Sequence, residues 1–221
     1  MQQPKILLVT PPMVQINSPY AATPVLAGFL KQKGYAVSQL DLSAQLASEI
    51  FSSKQIKAML GKVKKSKQLR KSEVGEFFLS YYEDYFETID AAVDFLKGKA
   101  PELTKYFLKR DSLPEGINFY NFEDELKRAK KILPKTELAR MRVSLFLDDV
   151  AELFQQIQDE SFQISRYAES ISANAISFDE LYDRCISHSN LANATYTETK
   201  AFELLSSRID QFNPTHIGFT M

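Results

Sequence analysis

A chain of 221 residues with 44% apolar and 25% charged side chains has the composition of one good-sized globular domain or two small ones. Its net charge of −1 gives no global attraction to nucleic acid or to an anionic membrane, and no apolar run approaches the ~20 residues that a membrane-crossing helix needs. With a single cysteine, Cys185, there is no disulfide framework, and the N-terminus has no leader pattern, so the expected compartment is the reducing cytoplasm.

Ile6-Leu-Leu-Val9 is a short apolar run ended by Pro11-Pro12, which predicts a strand buried on both faces. A polar loop, 13–20, leads into a helix over 21–33 that carries Val25, Leu26, Phe29 and Leu30 on one face and stops at Gly34. Residues 35–42 predict a second strand, so the opening is a βαβ unit with a right-handed crossover. Open α/β sheets bind ligands beyond the carboxyl ends of their strands. The first such loop has neither a Gly-x-Gly-x-x-Gly turn nor a Walker lysine. It offers Pro12 as a stiff entry, then Gln15, Asn17 and Ser18 as neutral hydrogen-bonding groups, with Tyr20 between Pro19 and Pro24. Two readings stay open: a large ligand held by shape and amide contacts, or an ordinary loop in which Asn17 or Ser18 caps the helix.

Ser43 is expected to cap a helix running to about residue 52, with Leu46, Ile50 and Phe51 inward. From 54 to 212 the pattern is helical. Residues 54–71 carry eight basic side chains and no acidic one, and 72–96 carry seven acidic and no basic one. The reading preferred over a nucleic-acid surface is an antiparallel helix pair matched in charge, each exposed pair worth only ~0.2–1 kcal/mol. Phe77, Phe78, Tyr81, Tyr82, Tyr85 and Phe86 are then core rather than a stacking platform for a cofactor. A helix over 100–109, a turn at 111–116, and a helix capped by Asn121 and closed by Pro134 follow. A long helix over 136–158 has Leu138, Met141, Leu145, Phe146, Val150, Leu153, Phe154 and Ile157 as its stripe. Asp148 and Asp149 diverge on that helix and are expected on a solvated surface rather than in an acid–base site. A shorter helix over 162–171 comes next, and the capping box Ser177-Phe-Asp-Glu180 starts another. Cys185 and His188 lack the further ligands that a metal site requires. A last helix over 195–211, with Phe202, Leu205 and Ile209, stops at Asn213-Pro214. A third strand follows over 215–221, with His216 as a structural residue at its edge.

Lys5-Ile-Leu-Leu-Val-Thr-Pro-Pro12, the Gln-x-Asn-x-Pro-Tyr-x-Ala-Thr pattern over 15–23 and Gln39-Leu-Asp-Leu42 resemble the N-terminus of cobalamin-binding radical S-adenosylmethionine proteins. Asn213-Pro-Thr-His-Ile-Gly-Phe-Thr-Met221 is similar to the third strand of the same domain. The resemblance implies an α/β fold: a small Rossmann-like parallel sheet of order 2-1-3 with a large helical insertion. The sheet domain is expected over 1–53 plus 213–221 and the insertion over 54–212. Pro12, Gln15, Asn17, Tyr20 and Ser43 are the expected cofactor-binding residues, with no catalytic residue and no metal ligand in this chain. The Asp-x-His-x-x-Gly element that supplies a cobalt ligand in some cobalamin domains is absent, as is the Cys-x-x-x-Cys-x-x-Cys that holds a [4Fe–4S] cluster. The expectation is therefore the front part of a longer enzyme of the iron–sulfur oxidoreductase or methyltransferase type, ending inside a strand and carrying no cofactor by itself. The parent would carry a [4Fe–4S] cluster, S-adenosylmethionine and cobalamin. Its expected partners are the remaining barrel of the same polypeptide and a second copy, with no nucleic acid and no membrane. The rival is a non-catalytic helical interaction domain on a Rossmann stub.

Overall fold

The computed structural model describes residues 3–12, 21–160, 162 and 194–220. Strand β1 (Lys5–Thr10), helix α1 (Ala22–Gln32) and strand β2 (Ala36–Asp41) open the chain. Helices α2 (Leu42–Ile50), α3 (Ser53–Lys65), α4 (Lys67–Arg70), α5 (Glu73–Ser80) and α6 (Tyr82–Leu96) follow. Then come α7 (Thr104–Phe107), α8 (Ile117–Asn121), α9 (Glu123–Ile132) and α10 (Lys135–Ile157). Helix α11 (Tyr196–Phe212) and strand β3 (His216–Phe219) close the described chain. Contacts divide it into two compact units, Met1–Ala47 with Ile164–Met221, and Ser48–Gln163.

The first unit is built on a three-stranded parallel sheet of order β2-β1-β3, as the sequence predicts. β1 is central, and its Leu7, Leu8 and Val9 are buried because both faces are covered. Leu7 and Val9 join Leu40 and Leu42 against Leu204, Leu205, Ile209 and Phe212 of α11. Helix α11, expected within the insertion, is therefore part of the sheet's own cover. It begins at a capping box, Thr195 with Glu198, and ends at Asn213 in the left-handed conformation (φ 48°). α1 stops at Gly34 (φ 85°), a conformation that costs a residue without a side chain little. It buries Thr23 and Ala27, whereas Val25 and Phe29 are 68% and 55% exposed. The apolar stripe expected to face the sheet is thus turned partly outward, and small residues make the close approach.

The second unit is all-helical. α3 packs on α6 through Ile56, Met59 and Val63 on one side and Tyr85, Ile89, Ala92 and Phe95 on the other, all buried. α5 and α6 break at Tyr81, and a series of ring contacts runs across the break from Phe77 and Phe78 through Tyr82 and Tyr85 to Phe146 of α10. Phe78 and Tyr85 are core, but Tyr81 is 43% exposed. Three expectations need correcting. The side chain that caps α2 is Asp41, whose Oδ1 accepts from the Ala44 amide at 2.9 Å, not Ser43. The helix expected over 100–109 is a 3-10 turn (Pro101–Leu103) followed by the short α7, and Asn121 ends α8 instead of capping α9. Finally, no ion pair among the described residues joins 54–71 to 72–96; apolar burial sets that register, with the Ser53 amide donating to Asp90 at one end.

Candidate functional site

At the carboxyl end of the sheet, Thr10 closes β1, Thr220 follows β3, and Thr23 lies in the first turn of α1. Their hydroxyls form one buried chain: Thr10 Oγ1 is 2.8 Å from Thr23 Oγ1, which is 3.0 Å from Thr220 Oγ1. Thr220 Oγ1 in turn donates to the Val9 carbonyl at 3.3 Å. The three are between 2% and 8% exposed, so their mutual bonds replace the water they lost. In an open sheet of order 2-1-3 the topological switch point lies between β1 and β3. Thr10 and Thr220 mark that point.

Of the expected cofactor contacts, Pro12 is half-buried two residues beyond β1. Ser43 is 6% exposed and already has a partner within the protein. Gln15, Asn17 and Tyr20 lie outside the described residues, as do Cys185, His188, all but Phe162 of the helix expected over 162–171, and the helix expected from the Ser177–Glu180 capping box. The threonine chain escaped the sequence reading. Its signal was the repeated close of an apolar strand on threonine, Leu8-Val-Thr10 and Gly218-Phe-Thr220.

The site supplies neutral donors and acceptors. His216 pairs with Ile6 at the amino end of the sheet, with its Nδ1 2.9 Å from Thr215 Oγ1, so it stands at the end opposite the switch point. Among the described residues no group of three or more His, Cys, Asp or Glu side chains is placed to hold a metal ion. No helix there is long and apolar enough to cross a membrane.

The helical unit carries a different polar arrangement. Asp149, expected in solvent, is 7% exposed. Its carboxylate accepts from the Gly116 amide at 3.0 Å, the Asn118 amide at 2.9 Å and Asn118 Nδ2 at 2.7 Å, which caps the amino end of α8. Two turns earlier on α10, Arg142 donates to the Phe107 carbonyl at 2.7 Å and the Lys109 carbonyl at 3.1 Å, and it pairs with Glu115 at 2.8 Å. A carboxylate thus serves a helix start and a guanidinium a helix end, each matched to the local dipole. Burial raises the Asp149 pKa above the ordinary aspartate value, against the hydrogen bonds from Asn118 and Gly116 that lower it. Burial likewise pushes the Tyr85 phenol up, with the Asp149 and Glu152 charges adding to it. This arrangement is architectural, since it consumes its own donors and acceptors.

The surface of α3 and α4 is the remaining concentration of charge. Lys54, Lys57, Lys62, Lys64, Lys65, Lys67, Arg70 and Lys71 are all exposed, and none forms an ion pair among the described residues.

Searches with the chain found no matching family model, no matching curated protein and no matching solved structure.

Proposed function

We propose that this chain is the N-terminal, cobalamin-binding-like portion of a radical S-adenosylmethionine iron–sulfur enzyme. The observation that supports the reading is the parallel pairing of β1 with β3. Two of the segments that carry the resemblance, 5–12 and 213–221, lie far apart in the sequence, and their strands β1 and β3 are neighbours in the sheet. The threonine chain at their carboxyl ends adds a neutral, hydroxyl-rich floor where such folds take a ligand.

Cobalamin carries several carboxamide arms, and Pro12 with the neutral side chains of Gln15, Asn17 and Tyr20 suits a ligand of that kind, while the buried threonine hydroxyls, bonded to one another, hold the strand ends beneath it. When bound it would supply an organometallic centre. What this chain contributes is shape and hydrogen bonding at the β1/β3 switch point, without a histidine ligand from the first loop. A [4Fe–4S] cluster does not fit these residues, because three thiolates cannot come from Cys185 alone. In this reading the cluster and S-adenosylmethionine are held by residues outside the 221, and this portion by itself catalyses nothing.

The test is the reading frame beyond Met221. A Cys-x-x-x-Cys-x-x-Cys motif downstream, with iron–sulfur absorption in the longer protein purified without oxygen and cobalamin retained on gel filtration, is the expected result. A stop codon directly after Met221, or a longer protein that takes up neither iron nor cobalamin, would overturn the proposal. The second reading, a non-catalytic interaction domain, draws on the unpaired basic face of α3 and α4, and it gains if the frame ends there.

A further inference from the structure

The sequence expectation of no nucleic-acid partner rested on the net charge of −1 and on the basic run being matched by the acidic run beside it, and among the described residues no ion pair joins the two runs. On α3 the buried residues Ile56, Met59 and Val63 face α6, while Lys54, Lys57, Lys62, Lys64 and Lys65 fall on the opposite side of the helix. On α6 the acidic residues likewise lie off the face formed by Tyr85, Ile89 and Phe95. Apart from Asp90, which accepts from the Ser53 amide at the start of α3, the two charge sets lie off the shared apolar faces. Eight cations fall within 18 residues, and among the described residues none of them forms an ion pair, an arrangement that an anionic partner relieves.

We propose that the outer face of α3 and α4 is a docking surface for the phosphate backbone of a nucleic-acid duplex. α3 spans about 20 Å, over which a duplex presents about a dozen phosphates on its two strands, more than enough to engage the five lysines of this helix. None of the large apolar side chains exposed in the structure falls between residues 36 and 80. A membrane surface is disfavoured by that, since a basic helix lying on lipid inserts an apolar face and this one has used its own against α6. The lack of exposed aromatics equally disfavours single strands, which need rings to stack on. A second copy offering its α5–α6 carboxylates is the weaker partner. Of seven, Asp90 already accepts from the Ser53 amide at 3.0 Å and Asp94 pairs with Lys99 at 3.6 Å. Recognition by this face is independent of base sequence, because lysines on a helix surface reach phosphates and not base edges. The proposal stands independently of the cofactor reading.

The test is fluorescence anisotropy with the full 221-residue chain against labelled 20-base-pair DNA and RNA duplexes, titrated from low to physiological salt. The expected dissociation constant is about 10⁻⁵ M near physiological salt, with a steep linear fall of log affinity against log salt. Replacing Lys57, Lys64 and Lys65 together (Lys57→Gln, Lys64→Gln, Lys65→Gln) should weaken binding and flatten that slope by roughly 2–3, since each phosphate contact contributes about 0.9. The same charge change on α9 (Lys127→Gln, Lys130→Gln, Lys131→Gln) should leave the slope unchanged. The DNA and RNA arms distinguish which duplex is preferred, and binding of either supports the proposal. Three outcomes would overturn it: no binding of either duplex at low salt, equal losses in the two triple variants, or capture of the chain by phosphatidylglycerol vesicles in place of the duplexes. Matched thermal midpoints for wild type and both variants exclude unfolding as the cause of a loss.

Discussion

The helical unit and the sheet unit spend their aromatic side chains in opposite ways. In the former, Phe78, Phe107, Phe146 and Phe154 are wholly buried. In the latter, Phe29, Phe202 and Phe219 are 55%, 51% and 56% exposed. A helix bundle closes its core by wrapping, whereas a parallel sheet of three strands fully buries only its central strand and leaves each outer one with an unpaired edge. β3 shows the consequence: Ile217 and Phe219 share the face that α11 covers at β1, but they remain open. Exposed apolar area of this kind marks a surface that another element or another chain covers. The lesson is that regular secondary structure in the sheet unit does not carry the same meaning as in the bundle. One unit is closed and the other is a platform.

The sharpest way to break this contrast is a matched pair of truncations. Phe146→Ala, deep in the bundle against Tyr85, should cost about 3–5 kcal/mol in chemical denaturation. Phe219→Ala should leave the unfolding midpoint almost unmoved and instead reduce self-association in sedimentation, because the open β3 edge is expected to pair with a second copy. Equal losses of stability from the two would erase the distinction.

Next in size is Asp149→Asn. It removes a carboxylate that satisfies three donors, for an expected loss of about 1–3 kcal/mol. The native pKa lies above the ordinary aspartate value of 3.8, so between the two the native state holds more protons than the unfolded state. Stability from this group is therefore full below 3.8, falls as pH rises through that window, and is level above it. The variant lacks that slope, so its deficit should be largest at the acid end of a series of urea titrations.

The smallest expected effect falls on the basic face. Reversing Lys64, Lys65 and Lys67 to Glu breaks no ion pair and relieves repulsion, so the thermal midpoint at low salt should hold or rise slightly. A fall at low salt that vanishes at high salt would reinstate the charge-matched pair.

Much of the architecture was legible before any coordinates. The apolar run at 6–9, Gly34 and the stop at Asn213-Pro214 fix strand and helix limits through local chemistry, and the structure follows them. What could not be read were effects that depend on partners distant in sequence. Asp149 looks like surface on its own helix, because the amides of Gly116 and Asn118 that bury it come from more than 30 residues away. Helix pattern puts Phe29 on the apolar face of α1 and Phe202 with the apolar residues of α11, yet their exposure is decided by how many strands lie beneath, which no single helix encodes. At the candidate site, Thr10, Thr23 and Thr220 are unremarkable in sequence and acquire meaning only when the sheet joins residues 10 and 220.

The hydroxyl contact between Thr10 and Thr23 has a bearing on how the chain between them can vary. Both ends of that segment are already fastened, one in the strand and one in the helix, and the 2.8 Å bond clasps them together. The entropy of closing a loop grows only with the logarithm of its length, so doubling the length costs about 0.6 kcal/mol. Insertions and deletions between the two threonines are therefore cheap in stability. The fold can exchange what it presents at the switch point while its strands, register and core stay as they are.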